Sequence, residues 1–221
     1  MIPARLMGRR DALRGLAGAA AGVLALPAAF AQDKPAPRLI TISGAITEVA
    51  YALGAQDQIV ATDTTSLYPP AALKTPKVGY MRQLSAEGLL SMKPDAVIAT
   101  TESGPPVVLD QLRSAGVKLE LIEADHTWGE VQRKVQAVGR AAAREAQAQA
   151  LQRQLDAQWA DVQKRVAHDM TGRRRPRVLF VLSHSASPQV SGEKTAANAV
   201  IQFAGGINCL SGFQGYRPMT A

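Results

Sequence analysis

At 221 residues, 47% of them hydrophobic and 19% charged, the chain is long enough for one large domain or two small ones and too apolar for a disordered polyelectrolyte. Its formal net charge of +7 is spread as separate Arg and Lys with only 5% aromatic residues among them, which gives a nucleic-acid surface little support. The one cysteine, Cys209, excludes an internal disulfide, so the core must hold by packing.

Residues 1–31 read as an export signal: a basic stretch with Arg5, Arg9, Arg10 and Arg14, an apolar run from Leu16 to Ala28, and the small-residue cleavage pattern Ala29-Phe30-Ala31. The run is short for a membrane span and contains Pro27. Gly8 to Arg14 partly matches a twin-arginine signal, so a periplasmic destination by the Sec or the twin-arginine route is expected. Removing four Arg and one Asp takes the net charge from +7 to about +4. Residues 32–37 form a polar, Pro-bearing leader.

From residue 38 the pattern alternates between strand and helix, predicting a first α/β lobe over 38–127. Arg38 to Ile42 reads as a strand, Ala45 to Leu53 as a helix ended by Gly54, and Gln58 to Ala61 as a strand. Thr62 to Lys77, with Tyr68-Pro69-Pro70, is a long loop or short helix. Ser85 is a good N-cap for a helix running to about Met92, with Glu87 in its first turn. Ala96 to Ala99 is a buried strand, Pro106 to Ala115 a helix stopped by Gly116, and Val117 to Ile122 another strand.

Residues 128–170 are strongly helical in composition. Gly139 and Ala141 to Ala143 suggest two helices meeting, the second over about Arg144 to His168 with an apolar stripe of Ala150, Leu151, Leu155, Trp159, Val162 and Val166. Such a helix, roughly 35 Å long, can cross from one lobe to another. Residues 171–221 open a second α/β unit with a strand over Arg177 to Leu182 and a helix over Thr195 to Phe203. This second lobe is expected to be incomplete as the chain stands. The fold class is therefore α/β, with two parallel-sheet lobes joined by one long helix.

The richest segment is Val78-Gly79-Tyr80-Met81-Arg82-Gln83-Leu84-Ser85-Ala86-Glu87: a strand end, then a tight turn carrying Tyr80 and Arg82, then a helix. Gly215-Tyr216-Arg217-Pro218 is a weaker echo, predicting a second turn that faces the first across a cleft. Two positions apart in an extended turn, Tyr80 and Arg82 share one side. A phenolate beside a guanidinium suits an iron(III) porphyrin, because ferric iron is a hard acid and tyrosinate an established haem ligand. A free phenol ionises near pH 10, so the metal and a neighbouring cation must help it do so.

Over Arg38 to Ala221 the chain resembles the periplasmic hemin-binding proteins of bacterial ABC importers. The resemblance is carried by Asp63-Thr64-Thr65-Ser66-Leu67-Tyr68-Pro69, Val78 to Glu87, Lys93-Pro94-Asp95 and Gly215 to Pro218. Lys93-Pro94-Asp95 also marks the wider class that includes cobalamin and siderophore binders. The resemblance implies hemin as the transported ligand, Tyr80 as axial ligand to the iron, and Arg82 bonded to the phenolate. It implies an ABC permease with its ATPase as partners, Glu87 as a docking contact for that permease, and a TonB-dependent outer-membrane hemin system upstream. Met81 and Tyr68 are candidates to enclose the porphyrin, Arg217 to meet a propionate, and Tyr216 to line the cleft.

Plainer readings stand beside these. Glu87 at a helix start stabilises it by a few tenths to about 1 kcal/mol with no partner at all. His184 follows a strand, where cleft loops sit, and is a candidate for the opposite haem face. His126 follows Glu123 and Asp125 and reads as a surface loop residue or a weak metal contact; His168 suits a helix C-terminus. Cys209 reads as a small buried residue. Enzyme motifs are missing: there is no G-x-S-x-G elbow, no G-x-G-x-x-G and no H-E-x-x-H, and Ser191 to Thr195 only superficially suggests a phosphate loop. A binder of cobalamin or ferric siderophore is the main alternative, ahead of an exported α/β hydrolase or a helical adaptor.

Overall fold

Residues 35–183 and 187–219 are described in a computed structural model of the chain. The expected export signal (1–31), half of the leader and His184 lie outside the described residues. Four short segments build a parallel sheet: β1 (Leu39–Thr41), β2 (Ile59–Thr62), β3 (Ala96–Thr100) and β4 (Lys118–Ile122), in the order β2-β1-β3-β4. Every residue of β1 and β3 is buried, as in a parallel sheet covered on both faces.

Side-chain alternation then divides the core in two. Leu39, Ile98 and Ile122 point to one face, where they meet Ile46 and Ala50 of α1 (Gly44–Ala52) and Val135 and Val138 of α4 (Trp128–Ala141). Ile40, Val97 and Ala99 point to the other, against Leu89 of α2 (Ala86–Ser91) and Val108 and Leu112 of α3 (Pro106–Ser114). Helix α2 starts as expected, the Ser85 hydroxyl accepting from the Gly88 N–H at 3.2 Å.

The predicted pair of helices is present as α4 and α5 (Glu145–Met170). Their close approach explains Gly139: a Cβ there would lie 2.5 Å from the Ala148 methyl. At 26 residues α5 is about 39 Å long and links the two lobes. Near its start Ala148 is buried in the first core, with Leu151 and Leu155 packed against it. Further along, Trp159 meets Phe203 edge-on at 4.9 Å, and Val166 and Met170 crowd Gly205. The stripe differs from the expected one. Ala150, nearly opposite Ala148 on the helix, faces solvent, and Val162 is 37% exposed. Among the described residues no helix is long and apolar enough to cross a membrane.

The second lobe departs furthest from expectation. The single strand predicted over Arg177 to Leu182 is divided at Leu179-Phe180, because its halves pair with different neighbours. Here β5 (Arg177–Val178) runs parallel to β8 (Ile207–Asn208), while β6 (Val181–Leu182) runs antiparallel to β7 (Gln189–Ser191). Between β7 and β8 lies α6 (Ala196–Phe203), capped by the Thr195 hydroxyl. The expected Tyr216 turn is instead β9 (Tyr216–Pro218), antiparallel to β7 with Val190 opposite Arg217. Cys209 is half-buried rather than buried.

Candidate functional site

In a parallel sheet, the loops that leave the strand C-termini gather at one edge, and the crevice opens where the strand order reverses. Here the loops after β2, β3 and β4 carry Tyr80 and Arg82, Glu102, and His126 respectively.

The loop after β2 is built from its base upward. Asp63 is fully buried, and its carboxylate accepts from the Ser43 N–H at 2.9 Å, the Thr65 N–H at 3.0 Å, and the Thr65 and Ser66 hydroxyls at 2.6 and 2.8 Å. Such a network offsets the cost of burying the charge. Lys77 ties down the far end, donating to the Thr62 hydroxyl and to the Ser66 and Ala72 carbonyls at 2.7, 2.8 and 3.1 Å. Burial pulls its ammonium below the usual lysine range against the opposing pull of Asp63. The Asp63 to Ser66 segment therefore shapes the loop, with Asp63 and Ser66 buried and Thr64 exposed.

Gly79 then turns the chain at φ +104°, a conformation that strains residues with a side chain. A turn closes with the Gln83 N–H donating to the Tyr80 carbonyl at 2.8 Å. Two further backbone bonds clamp it to the loop after β3: Gly104 N–H to the Met81 carbonyl at 3.0 Å, and Leu84 N–H to the Gly104 carbonyl at 2.9 Å. Leu84 sinks into the core beneath, and half-buried Met81 packs against the same cluster.

On this frame Tyr80 stands 39% exposed. Arg82 Nη1 donates to its hydroxyl at 3.3 Å, so the two side chains do share one side of the turn. The other guanidinium nitrogen, Nη2, lies 3.3 Å from Glu102 Oε2. Arg82, Glu102 and half-buried His126 form one wall of a cleft of about 270 Å³ whose other wall is Lys194, Gly215 and Tyr216. A larger depression of about 440 Å³ lies between α4 and α5, but Gln136, Arg140, Glu145, Gln149 and Arg153 around it offer no aromatic face. Among the described residues no group of three or more His, Cys, Asp or Glu is arranged to hold a metal ion.

The remaining candidates are dispersed. Arg217 is next to Tyr216 in a strand, so it points to the opposite face, where its guanidinium lies 4.6 Å over the Phe213 ring. Tyr68 is exposed on a separate apolar depression beside Glu48, Val49 and Leu155. Glu87 is exposed in the first turn of α2. Glu102 went unnoticed in the sequence, where nothing local marks it, and Lys194 stood out only inside the Ser191 to Thr195 likeness to a phosphate loop; their positions after β3 and before α6 were the available signal.

The margin of the cleft carries a second polar knot. Asp125 accepts from the Thr127 hydroxyl and N–H at 2.6 and 3.0 Å and from Arg133 at 2.6 Å, and these bonds, Thr127's first, lower its pKa to about 2. Burial pushes the Glu130 carboxyl up, yet its bonds from Lys134 and the His126 N–H win, leaving it below the usual range.

A model of the periplasmic binding protein family matches residues 39–219. The fold is similar to the periplasmic heme-binding protein BhuT solved with two hemes: 42% identity, 83% of this chain and 71% of that one, TM-score 0.79. It is also similar to the periplasmic heme-binding protein RhuT from Roseiflexus sp. RS-1, at 34% identity over 84% of this chain and 71% of that one, TM-score 0.77. Among curated relatives, the vitamin B12-binding protein of Vibrio cholerae serotype O1 is 39% identical over 90 residues, 41% of this chain; the match spans about a third (33%) of that relative's length.

Proposed function

The chain belongs to the periplasmic binding protein family, and from that premise we propose that it carries hemin outside the cytoplasm, gripping the iron through Tyr80 in the cleft between its lobes. The observation that carries this reading is the Arg82 guanidinium 3.3 Å from the Tyr80 hydroxyl, on a turn doubly clamped to the loop after β3 at the C-terminal edge of the sheet. Ferric iron favours an anionic oxygen, and a donor aimed at that oxygen stabilises the charge it must carry. A porphyrin brings its own four nitrogens, so one axial oxygen from the protein is enough. The similarity to two heme-binding proteins supports hemin as the cargo, while the partial match to a vitamin B12-binding protein favours cobalamin as the second reading.

The proposed partners are an ABC permease and its ATPase. Helix α5, anchored in both lobes, allows only small relative motion, so release is assigned to the permease pulling at lobe tips such as exposed Glu87. The test is a hemin titration of the purified chain followed in the visible spectrum. A high-spin tyrosinate pattern is expected, lost in Tyr80→Ala with a fall in affinity of about 100-fold, or about 2.7 kcal/mol. An unchanged spectrum in that variant would overturn the ligand assignment. Tight cobalamin binding with no haem spectrum would move the chain to the second reading.

A further inference from the structure

The guanidinium beside Tyr80 is shared. Arg82 sends one nitrogen to the phenolic oxygen and the other, at the same distance of 3.3 Å, to a carboxylate on a different loop. We propose that Glu102 is the positioning residue of the site: it holds the Arg82 fork so that one arm stays aimed at the Tyr80 oxygen. The proposal rests on the cleft reading above.

Arg82 needs such a restraint. Its side chain is 54% exposed, and a free arginine at that exposure spreads over many solvated rotamers, each of which withdraws the donor from the phenol. Glu102 is well placed to supply it because its loop is fixed to the Tyr80 turn. Thr101 N–H donates to the Ile122 carbonyl at 2.8 Å, Ser103 N–H to the Thr100 carbonyl at 2.9 Å, and Gly104 exchanges bonds with Met81 and Leu84. Carboxylate and phenol are thus held on one frame, and the planar fork spans them.

A positioning role and a purely electrostatic one predict opposite signs. By charge alone, removing the Glu102 carboxylate leaves Arg82 uncompensated and strengthens binding of a phenolate. By positioning, a neutral side chain that still accepts a hydrogen bond changes little, and one that cannot accept weakens the site. Because Glu102 acts through Arg82, its effect must also vanish when Arg82 is gone.

The experiment is a double-mutant cycle with hemin as the probe, reading affinity and the acid midpoint at which the tyrosinate band is lost, alongside a melting curve for each variant. Glu102→Ala is expected to weaken hemin binding about 3- to 5-fold, the upper range for an exposed ion pair, and to raise the acid midpoint by about 0.5 pH unit. Glu102→Gln should stay within about 2-fold of the parent. In an Arg82→Ala background, adding Glu102→Ala should change neither quantity. Equal losses in both backgrounds, no loss in the parent background, or binding more than about 2-fold tighter by Glu102→Gln would each overturn the positioning role. Tyr80→Ala, run beside them, separates the two failures. Loss of the band there with a background-independent Glu102 effect sinks only the positioning role, whereas a retained band sinks the cleft reading and this proposal together.

Discussion

The two lobes face one cleft but are built to different standards. In the first, a four-stranded parallel sheet is covered on both faces, and Leu39, Ile40, Val97, Ile98 and Leu112 are wholly buried. In the second, the strands are two or three residues long, and Val178, Leu179, Phe180, Val181, Val200 and Ile207 are all at least 36% exposed. Tyr80, Arg82 and Glu102 stand on the deep core; Tyr216 and Lys194 stand on the thin one. Burial follows cover: helices lie on both faces of the first sheet, whereas the described strands of the second lobe pair only in sheets of two and three.

The largest expected effect tests the difference directly. Ile98→Ala removes a branched side chain from the centre of the first core and should cost about 3–4 kcal/mol in denaturant unfolding. Val181→Ala, at a strand residue 41% exposed, should cost about 0.5 kcal/mol or less. Similar losses at the two sites would show that the exposed strand carries as much stability as the buried one and would erase the contrast.

A smaller effect probes how the second lobe borrows support. Trp128 of α4 stacks on Trp159 of α5 at 4.8 Å with planes 1° apart, and Trp159 meets Phe203 of α6 edge-on. The same junction is pinned by Asp156, whose Oδ1 accepts from the Trp128 indole and from Gln132 and Gln152 at 2.8, 2.9 and 2.9 Å. Those bonds, Gln132's and then Trp128's, hold the Asp156 carboxyl below its usual range. Trp159→Ala should destabilise the chain by about 2–3 kcal/mol. The loss should be uneven: hydrogen-exchange protection should fall in α6 while β3 keeps most of its own. A uniform drop would mean that the aromatic stack is ordinary core packing rather than the second lobe's prop.

How far the sequence could be read follows the same contrast. The strands of the first sheet are legible because apolar runs such as Ala96 to Ala99 sit between Pro, Gly and Asp breaks, and burial on both faces demands such runs. The division of Arg177 to Leu182 was not legible, because which neighbour each half pairs with is decided by partners far along the chain. The echo of Tyr80 at Tyr216 misled for a physical reason that spacing does contain. Tyr80 and Arg82 are two apart and share a side, whereas Tyr216 and Arg217 are adjacent and in a strand must part, one to the cleft and one to Phe213. Glu102 was invisible, and the place of Lys194 was too, for a deeper reason: the cleft that sets the loop after β3 opposite the start of α6 exists only in the folded chain.

The smallest effect compares two helix starts across the cleft. Both α4 and α6 are capped by a threonine hydroxyl, Thr127 to the Glu130 N–H and Thr195 to the Asn198 N–H. Only Thr127 is itself held by a carboxylate, that of Asp125, while α6 has no acidic residue in its first turn. The Asp125 pKa is lowered from 3.8 to about 2, so the folded state favours the ionised form. Its contribution is complete above about pH 4 and is lost as pH falls through 2. At pH 6, Asp125→Asn should therefore melt about 1–3 °C below the parent, since an exposed charge of this kind is worth at most about 1 kcal/mol. The gap should shrink as the pH falls toward 2, where about half of the parent carboxyl is protonated. Thr195→Ala should lower the melting temperature by an amount that does not track this titration. A gap for Asp125→Asn that stays constant from pH 6 to 2 would mean that Asp125 acts by shape alone, and the first lobe's helix start would then be no more acid-sensitive than the second's.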